Sequence, residues 1–216
     1  MRHYLACLAA ATALTASGAA GAQQNAISLY TDISGKSCTK HIDDQATEAY
    51  TLNCPGVHGF RLQVHEDDER SSISLVTPDK RVIPLNYWDV ITRGFSTLGD
   101  RVEWRIAKVD GQATPVGIIV RVNTLDQSDP ERPKRVPLLA VAKISRDATC
   151  VTRVVNAREP GANKEARRLS NNRHLVCLSV ESAKTSQRKD DVCPSHQHHA
   201  SEHLPTQRPF SPKEAG

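Results

Sequence analysis

The densest set of metal-ligating side chains is Cys193-Pro-Ser-His196-Gln-His198-His199-Ala-Ser-Glu202-His203. Neutral imidazoles bind zinc, copper and nickel, and a thiolate adds affinity for softer ions. Four histidines within eight residues can wrap around one ion. His196, His198, His199 and His203 are therefore the candidate ligands for zinc or copper, with Cys193 joining them only while reduced. Their spacing matches no closed structural site, and histidine-rich tracts are a compositional signal only. A solvated tail with no cofactor is the simpler reading, and metal binding is its alternative.

Two charged clusters are the next chemical leads. Glu66-Asp67-Asp68-Glu69 offers the carboxylate oxygens that calcium prefers, but the glycine and spacing of an EF-hand loop are missing. A hairpin turn is the commoner use of such residues. Arg132, Lys134 and Arg135, with Lys164, Arg167 and Arg168, offer a basic patch for an anionic polymer such as lipopolysaccharide. A solvated charged surface is the simpler reading there.

Catalytic signatures do not appear. There is no G-x-S-x-G elbow, no H-E-x-x-H and no C-x-x-C pair. His41, His58, His65 and His174 are scattered, and each reads as a surface or edge residue. No residue is nominated as catalytic, and a non-enzymatic protein is the expectation.

Disulfides are the remaining chemistry. Cys7 lies in the N-terminal stretch, leaving Cys38, Cys54, Cys150, Cys177 and Cys193. The pairs Cys38–Cys54 and Cys150–Cys177 are local in sequence, although four cysteines allow three pairings. Cys193 is the odd one. Disulfides belong to oxidising compartments, which agrees with the start of the chain. Met1-Arg2-His3 is basic, Tyr4 to Ala16 is apolar, and small residues follow to Ala20-Gly21-Ala22, the three-part layout of a secretory signal. Residues 1–22 are expected to be that signal, 23–180 one disulfide-stapled domain, and 181–216 a disordered tail. No other stretch is long and apolar enough to span a bilayer. The expected location is periplasmic or secreted. The net charge of +4 is mild and dispersed, which argues against nucleic acid as a partner.

The elements that must position these groups are mostly strands. Gly99 to Thr124 reads as a hairpin turning at Asp110-Gly111, with Val102, Trp104 and Ile106 alternating against Val116, Ile118, Val120 and Val122. Pairing Trp104 with Val120 buries both apolar sets and sets Glu103 opposite Arg121. Further strands are expected at Ala26–Thr31, Phe60–His65, Ser72–Thr77, Arg81–Leu85, Leu138–Ile144 and Cys150–Asn156. Helices are expected from Asn86 to about Leu98 and from Ala162 to Asn172. Thr39 to Tyr50 shows little periodicity, and Asp126 to Pro137 reads as an exposed loop. His174 to Val180 is a short apolar end. The sum is an α+β, β-rich fold: a curved antiparallel sheet or open barrel of about seven strands with two short helices.

The blocks CPGVHGFRLQV, WDVITRGFSTLGDRVEWRI and EPGANKEARRLSNN together resemble a group of small exported alphaproteobacterial proteins without an assigned activity, over Tyr30 to Cys177. The resemblance implies an envelope location and one domain, and it contributes no site residues. The function expected is that of an envelope binding or interaction module whose partner is an unidentified protein or polymer. The alternatives are a metal-binding envelope protein acting through its tail, and an enzyme without a recognisable motif.

Overall fold

The structure is a computed structural model that describes residues 26–179. The expected signal segment, the tail from Glu181, Cys193 and the four candidate histidine ligands lie outside the described residues. Ten strands and two short helices follow in order: β1 (Ile27–Asp32), β2 (Thr39–Asp44), β3 (Ala49–Pro55), β4 (Arg61–Asp67), β5 (Arg70–Val76), β6 (Val82–Pro84), α1 (Tyr87–Val90), β7 (Ser96–Val109), β8 (Gln112–Asp126), β9 (Lys134–Lys143), β10 (Cys150–Asn156) and α2 (Ala162–Ser170).

The strands form one path, β10-β9-β8-β7-β5-β4-β3-β2, with β1 added to β7 and β6 to β5. Every pairing is antiparallel except a single parallel bridge, Arg70 to Ser96, between β5 and β7. That bridge divides the path into two antiparallel groups, whose inner faces meet in one core. Leu62, Val64, Ile73 and Leu75 come from one group, and Val102, Trp104, Ile118, Val120, Ala140 and Ala142 from the other. Trp104 has no solvent exposure. Its ring centroid lies 6.3 Å from that of Phe60, and its Nε1 donates to Thr31 Oγ1 at 2.9 Å.

The β-rich class stands, and the count of seven strands is corrected to ten. The polar segment from Thr39 forms β2, every residue of which is exposed. An edge strand is held by backbone pairing to one neighbour and needs no apolar alternation. The expected loop from Asp126 is shorter, because Asp126 pairs with Lys134 at the start of β9. The helix expected to reach Leu98 stops at Val90. Ser96 to Leu98 instead pair with Thr124 to Val122, and the Ser96 amide donates to the Glu69 carbonyl at 3.0 Å. The apolar end from Leu175 forms no strand, although its Leu178 amide donates to Val151 O at 2.8 Å.

The central hairpin turns at Asp110-Gly111, where φ values of 50° and 81° place both residues in the left-handed region. That is the type I′ geometry, which glycine at the second position allows at little cost. The register differs from expectation by two residues. Trp104 faces Ile118 and Val102 faces Val120, so Glu103 opposes Ile119 rather than Arg121. Periodicity alone does not separate these registers, because an even slip keeps every side chain on its own face. The two-residue turn decides it by pinning Val109 to Gln112, and bulges near Ile106 and between Leu98 and Val102 set the rest.

The outer face of β7, β8 and β9 is covered by α2. Ala162 and Ala166 pack on Ile119, Leu139 and Val141. Gly117 permits the close approach. A Cβ there would overlap Ser170 Oγ and come within 2.7 Å of the Ala142 carbonyl oxygen. The structure bonds Cys38 to Cys54 and Cys150 to Cys177, with Cα separations of 4.3 and 5.6 Å.

Candidate functional site

Several turns gather at one end of the folded sheet. The parallel bridge sets β5 and β7 in the same direction, so the turn after β5 lies at the same end as the β7–β8 hairpin turn. The β9–β10 loop joins them. Between them is a cleft of about 880 Å³, lined by Phe60, Pro78, Ile83, Val109, Pro115, Val116 and Ile144 on the apolar side. Its charged side holds Asp79, Arg81, Asp110, Lys143, Arg146, Asp147, Arg173 and His174. The volume falls in the range typical of ligand-binding clefts.

Local chemistry shapes each wall. In the β5–β6 turn, the Thr77 hydroxyl donates to Asp79 and the Thr77 amide donates to the Arg81 carbonyl at 2.9 Å. Arg81 Nε then donates to Asp79 Oδ2 at 2.7 Å. Hydrogen bonds from Thr77 and Arg81 hold the Asp79 carboxyl below its ordinary pKa. Across the mouth, Arg146 lies 3.6 Å from Asp110 on the hairpin turn. The β9–β10 loop is closed on itself by Ser145, which donates to the Ala148 carbonyl and accepts from the Ala148 amide.

The wall formed by Arg173 and His174 follows α2 and belongs to no regular element. Three links fasten that segment: the Cys150–Cys177 disulfide, the Leu178 amide on Val151 O, and Lys143 Nζ donating to Leu175 O at 2.9 Å. The disulfide thus fastens the segment that carries Arg173 and His174 into the cleft wall.

A second group of charges lies under α2, on the face of β7 opposite the core. Ser28 and Tyr30 on β1 lie opposite Arg105 and Glu103. Glu103 Oε1 accepts from Ser28 Oγ at 2.5 Å, Arg167 Nε at 2.6 Å and Arg105 Nη1 at 3.4 Å. Arg105 also donates to Asn171 Oδ1 and the Ala26 carbonyl, and Arg167 to Tyr30 Oη. Burial pushes the Glu103 carboxyl up. Hydrogen bonds from Arg167 and Ser28, with both guanidinium charges, outweigh that and hold it below its ordinary value. These bonds tie β1, β7 and α2 together.

The third polar group crosses β2, β3, β4 and β5. Thr51 Oγ1 donates to Asp43 Oδ2 at 2.7 Å and lies 3.0 Å from His65 Nδ1, while His65 Nε2 lies 2.9 Å from Ser74 Oγ. A serine beside an imidazole is the start of a nucleophile–base pair. Ser74 is 3% exposed and lines neither the end cleft nor the smaller one beside α2. Burial lowers the His65 pKa, with Asp43 pulling the other way.

The expected site residues separate clearly. The four cysteines are bonded as pairs, and the four histidine ligands are outside the described residues. The acidic quartet makes a two-residue turn: Asp67 pairs with Arg70, and Asp68 and Glu69 have φ of 48° and 55°. Among the described residues no three His, Cys, Asp or Glu side chains gather to hold a metal. Half of the expected basic patch is engaged, with Arg132 on Asp129, Arg168 on Glu165 and Arg167 on Glu103. Among the described residues no helix is long and apolar enough to cross a membrane. The cleft went unforeseen, since its lining comes from turns far apart in sequence. The Glu103 group left one trace, two charges alternating with the apolar residues Val102 to Ile106. No family model matches the chain, and no curated protein or solved structure matches it.

Proposed function

We propose that this is an exported cell-envelope binding module that holds an extended peptide or polymer segment in the cleft at the end of its sheet. The observation that carries the reading is the cleft itself, at about 880 Å³ with an apolar floor under a rim of both charge signs. An apolar floor supplies affinity through desolvation, and a mixed rim fixes the register of a polar chain. Ring contact between Phe60 and the buried Trp104 makes the floor an extension of the core, and a rigid floor lowers the entropy cost of binding. Two disulfides are compatible with the exported location. So is the resemblance to small exported alphaproteobacterial proteins, which we retain as part of the proposal.

Panning a random linear-peptide library against the oxidised full-length chain tests the reading. Selected peptides should lose at least about tenfold in affinity when Thr114→Arg or Gln112→Arg fills the cleft. They should bind normally to Ile42→Arg, on the exposed β2 strand. Peptides that ignore the cleft variants, or a library that yields no saturable binder, would remove the reading.

A further inference from the structure

A second, smaller cleft of about 230 Å³ opens on the outer face beyond the first turn of α2, and the end cleft has no part in it. Tyr30, Arg101, Glu103, Arg121 and Asn163 line its polar side, with Ile119 and Leu139 beneath. Five elements contribute, so the position is built by tertiary structure rather than by one loop. We infer that this notch is an anion-binding site for a carboxylate or phosphate group, with Arg101 and Arg121 as its ligand-facing cations.

Glu103 is the only carboxylate lining the notch, and its negative charge is already met by Arg167 and Arg105. Asp32, paired across from Arg101 on β1, feels the Arg101 charge but takes its hydrogen bonds from the amide and hydroxyl of Ser34. Among the described residues, Arg101 and Arg121 have no carboxylate within 4.0 Å. Two guanidinium groups with free N–H donors at one concave site, Arg121 half-buried and Arg101 exposed, favour an anion. Their planar N–H pairs match the oxygens of carboxylate and phosphate.

Backbone geometry holds these two side chains in place. The register between β7 and β8 shifts between Leu98 and Val102, so the stretch holding Gly99, Asp100 and Arg101 bulges opposite Arg121. Bulges re-aim side chains. Here Gly99 leaves room for the Arg121 stem, since a Cβ at Gly99 would lie 3.0 Å from Arg121 Cβ. Tyr30 and Asn163 add a hydroxyl and an amide that can donate to the same anion. Tyr30 Oη already accepts from Arg167 Nη2 at 3.1 Å, which leaves its own hydrogen free to donate outward.

Titration calorimetry on the oxidised full-length protein, with inorganic phosphate and separately with acetate at fixed ionic strength, tests the inference. Saturable binding of either anion is expected. It should weaken at least about tenfold in Arg101→Gln and in Arg121→Gln, the loss of one charge-assisted bond. Lys40→Gln, on β2, should bind as the parent does. Preference for phosphate or for acetate tells which group the site takes. Circular dichroism confirms that each variant is folded, and the alanine variant at the same position serves in place of a glutamine variant that is not. No saturation with either anion, or equal affinity in both glutamine variants and the parent, overturns the inference. Peptide binding at the end cleft is independent of either result.

Discussion

Gly117→Ala is the sharpest single test of how the layers fit. Glycine in a strand interior ordinarily costs about 0.5–1 kcal/mol relative to alanine, so the change alone should stabilise. The site reverses that sign. The new methyl would overlap Ser170 Oγ and lie 2.7 Å from the Ala142 carbonyl and 3.1 Å from the Ser170 carbonyl. Ser170 is 1% exposed, so its hydroxyl has little room to turn, and the two carbonyls belong to β9 and to α2. Overpacking of this kind costs roughly 1–3 kcal/mol, leaving a net loss of about 1–2 kcal/mol. With a urea slope of ~2 kcal/mol/M, the middle of the usual range, the midpoint should fall by about 0.5–1 M. Tryptophan fluorescence follows the transition, since Trp104 is buried and Trp88 is half-buried. Ser170→Ala should by itself be neutral or mildly stabilising, because Ser170 Oγ is buried without a hydrogen-bond partner among the described residues. The double variant should recover only part of the loss, as both carbonyl contacts remain. A parental midpoint for Gly117→Ala would falsify the claim that α2 rests directly on the β8 backbone. Complete recovery in the double variant would assign the clash to the hydroxyl alone.

Other outcomes follow from the same contacts. Trp104→Ala should lose ~3–5 kcal/mol in a denaturant melt, as truncation of a buried aromatic does. Thr31→Val, which strips the indole N–H of its acceptor, should lose ~1–3 kcal/mol. His65 has a lowered folded pKa, so the unfolded chain takes up its proton first as the medium acidifies. Its contribution is therefore complete above about pH 6.5 and is lost as pH falls through the folded value. Melts of the parent should weaken faster than those of His65→Gln between pH 7 and pH 5, and parallel curves would count against the assignment. Replacing both Cys150 and Cys177 by serine opens a loop with a sequence separation of 27 residues, for a loss of ~3–4 kcal/mol on the chain-entropy account. Hydrogen exchange at the Leu178 amide should accelerate in that variant, and an unchanged rate would show that the bond to Val151 suffices.

What could be read from the chain was local. Asp110-Gly111 announces its turn because few residue pairs accept two left-handed conformations, and the alternation around Trp104 announces which face is buried. Cys38 and Cys54 are close in sequence, and β2 and β3 are hairpin partners that bring them together. The β2 strand itself was invisible, since exposure on both faces leaves no periodicity. Trp88, Ile91, Phe95 and Leu98 share a helical spacing, yet Phe95 is 37% exposed and Leu98 pairs with Val122. Competition from the β8 backbone ended that helix, and no residue within it signals the competitor. Glu103 looked solvent-facing, because the pattern shows one face as polar without revealing that α2 covers it. The lining of each cleft is likewise set by how distant turns converge.

The pairing of β1 with β7 has a consequence for how the chain reaches its final state. Ser28 meets Glu103 across a sequence separation of 75 residues, whereas β2 to β5 each pair with the next strand along the chain. Sequential hairpins close short loops and form early, and contacts of high sequence separation form late. A chain emerging from its N-terminus therefore releases β1 first and docks it among the last. In that interval the β7 edge from Val102 to Ile106 is an open template, and β1 of another molecule fits it as well as the chain's own. Refolding at high concentration should thus yield an exchanged dimer joined through β1, which dilution and unfolding return to monomer.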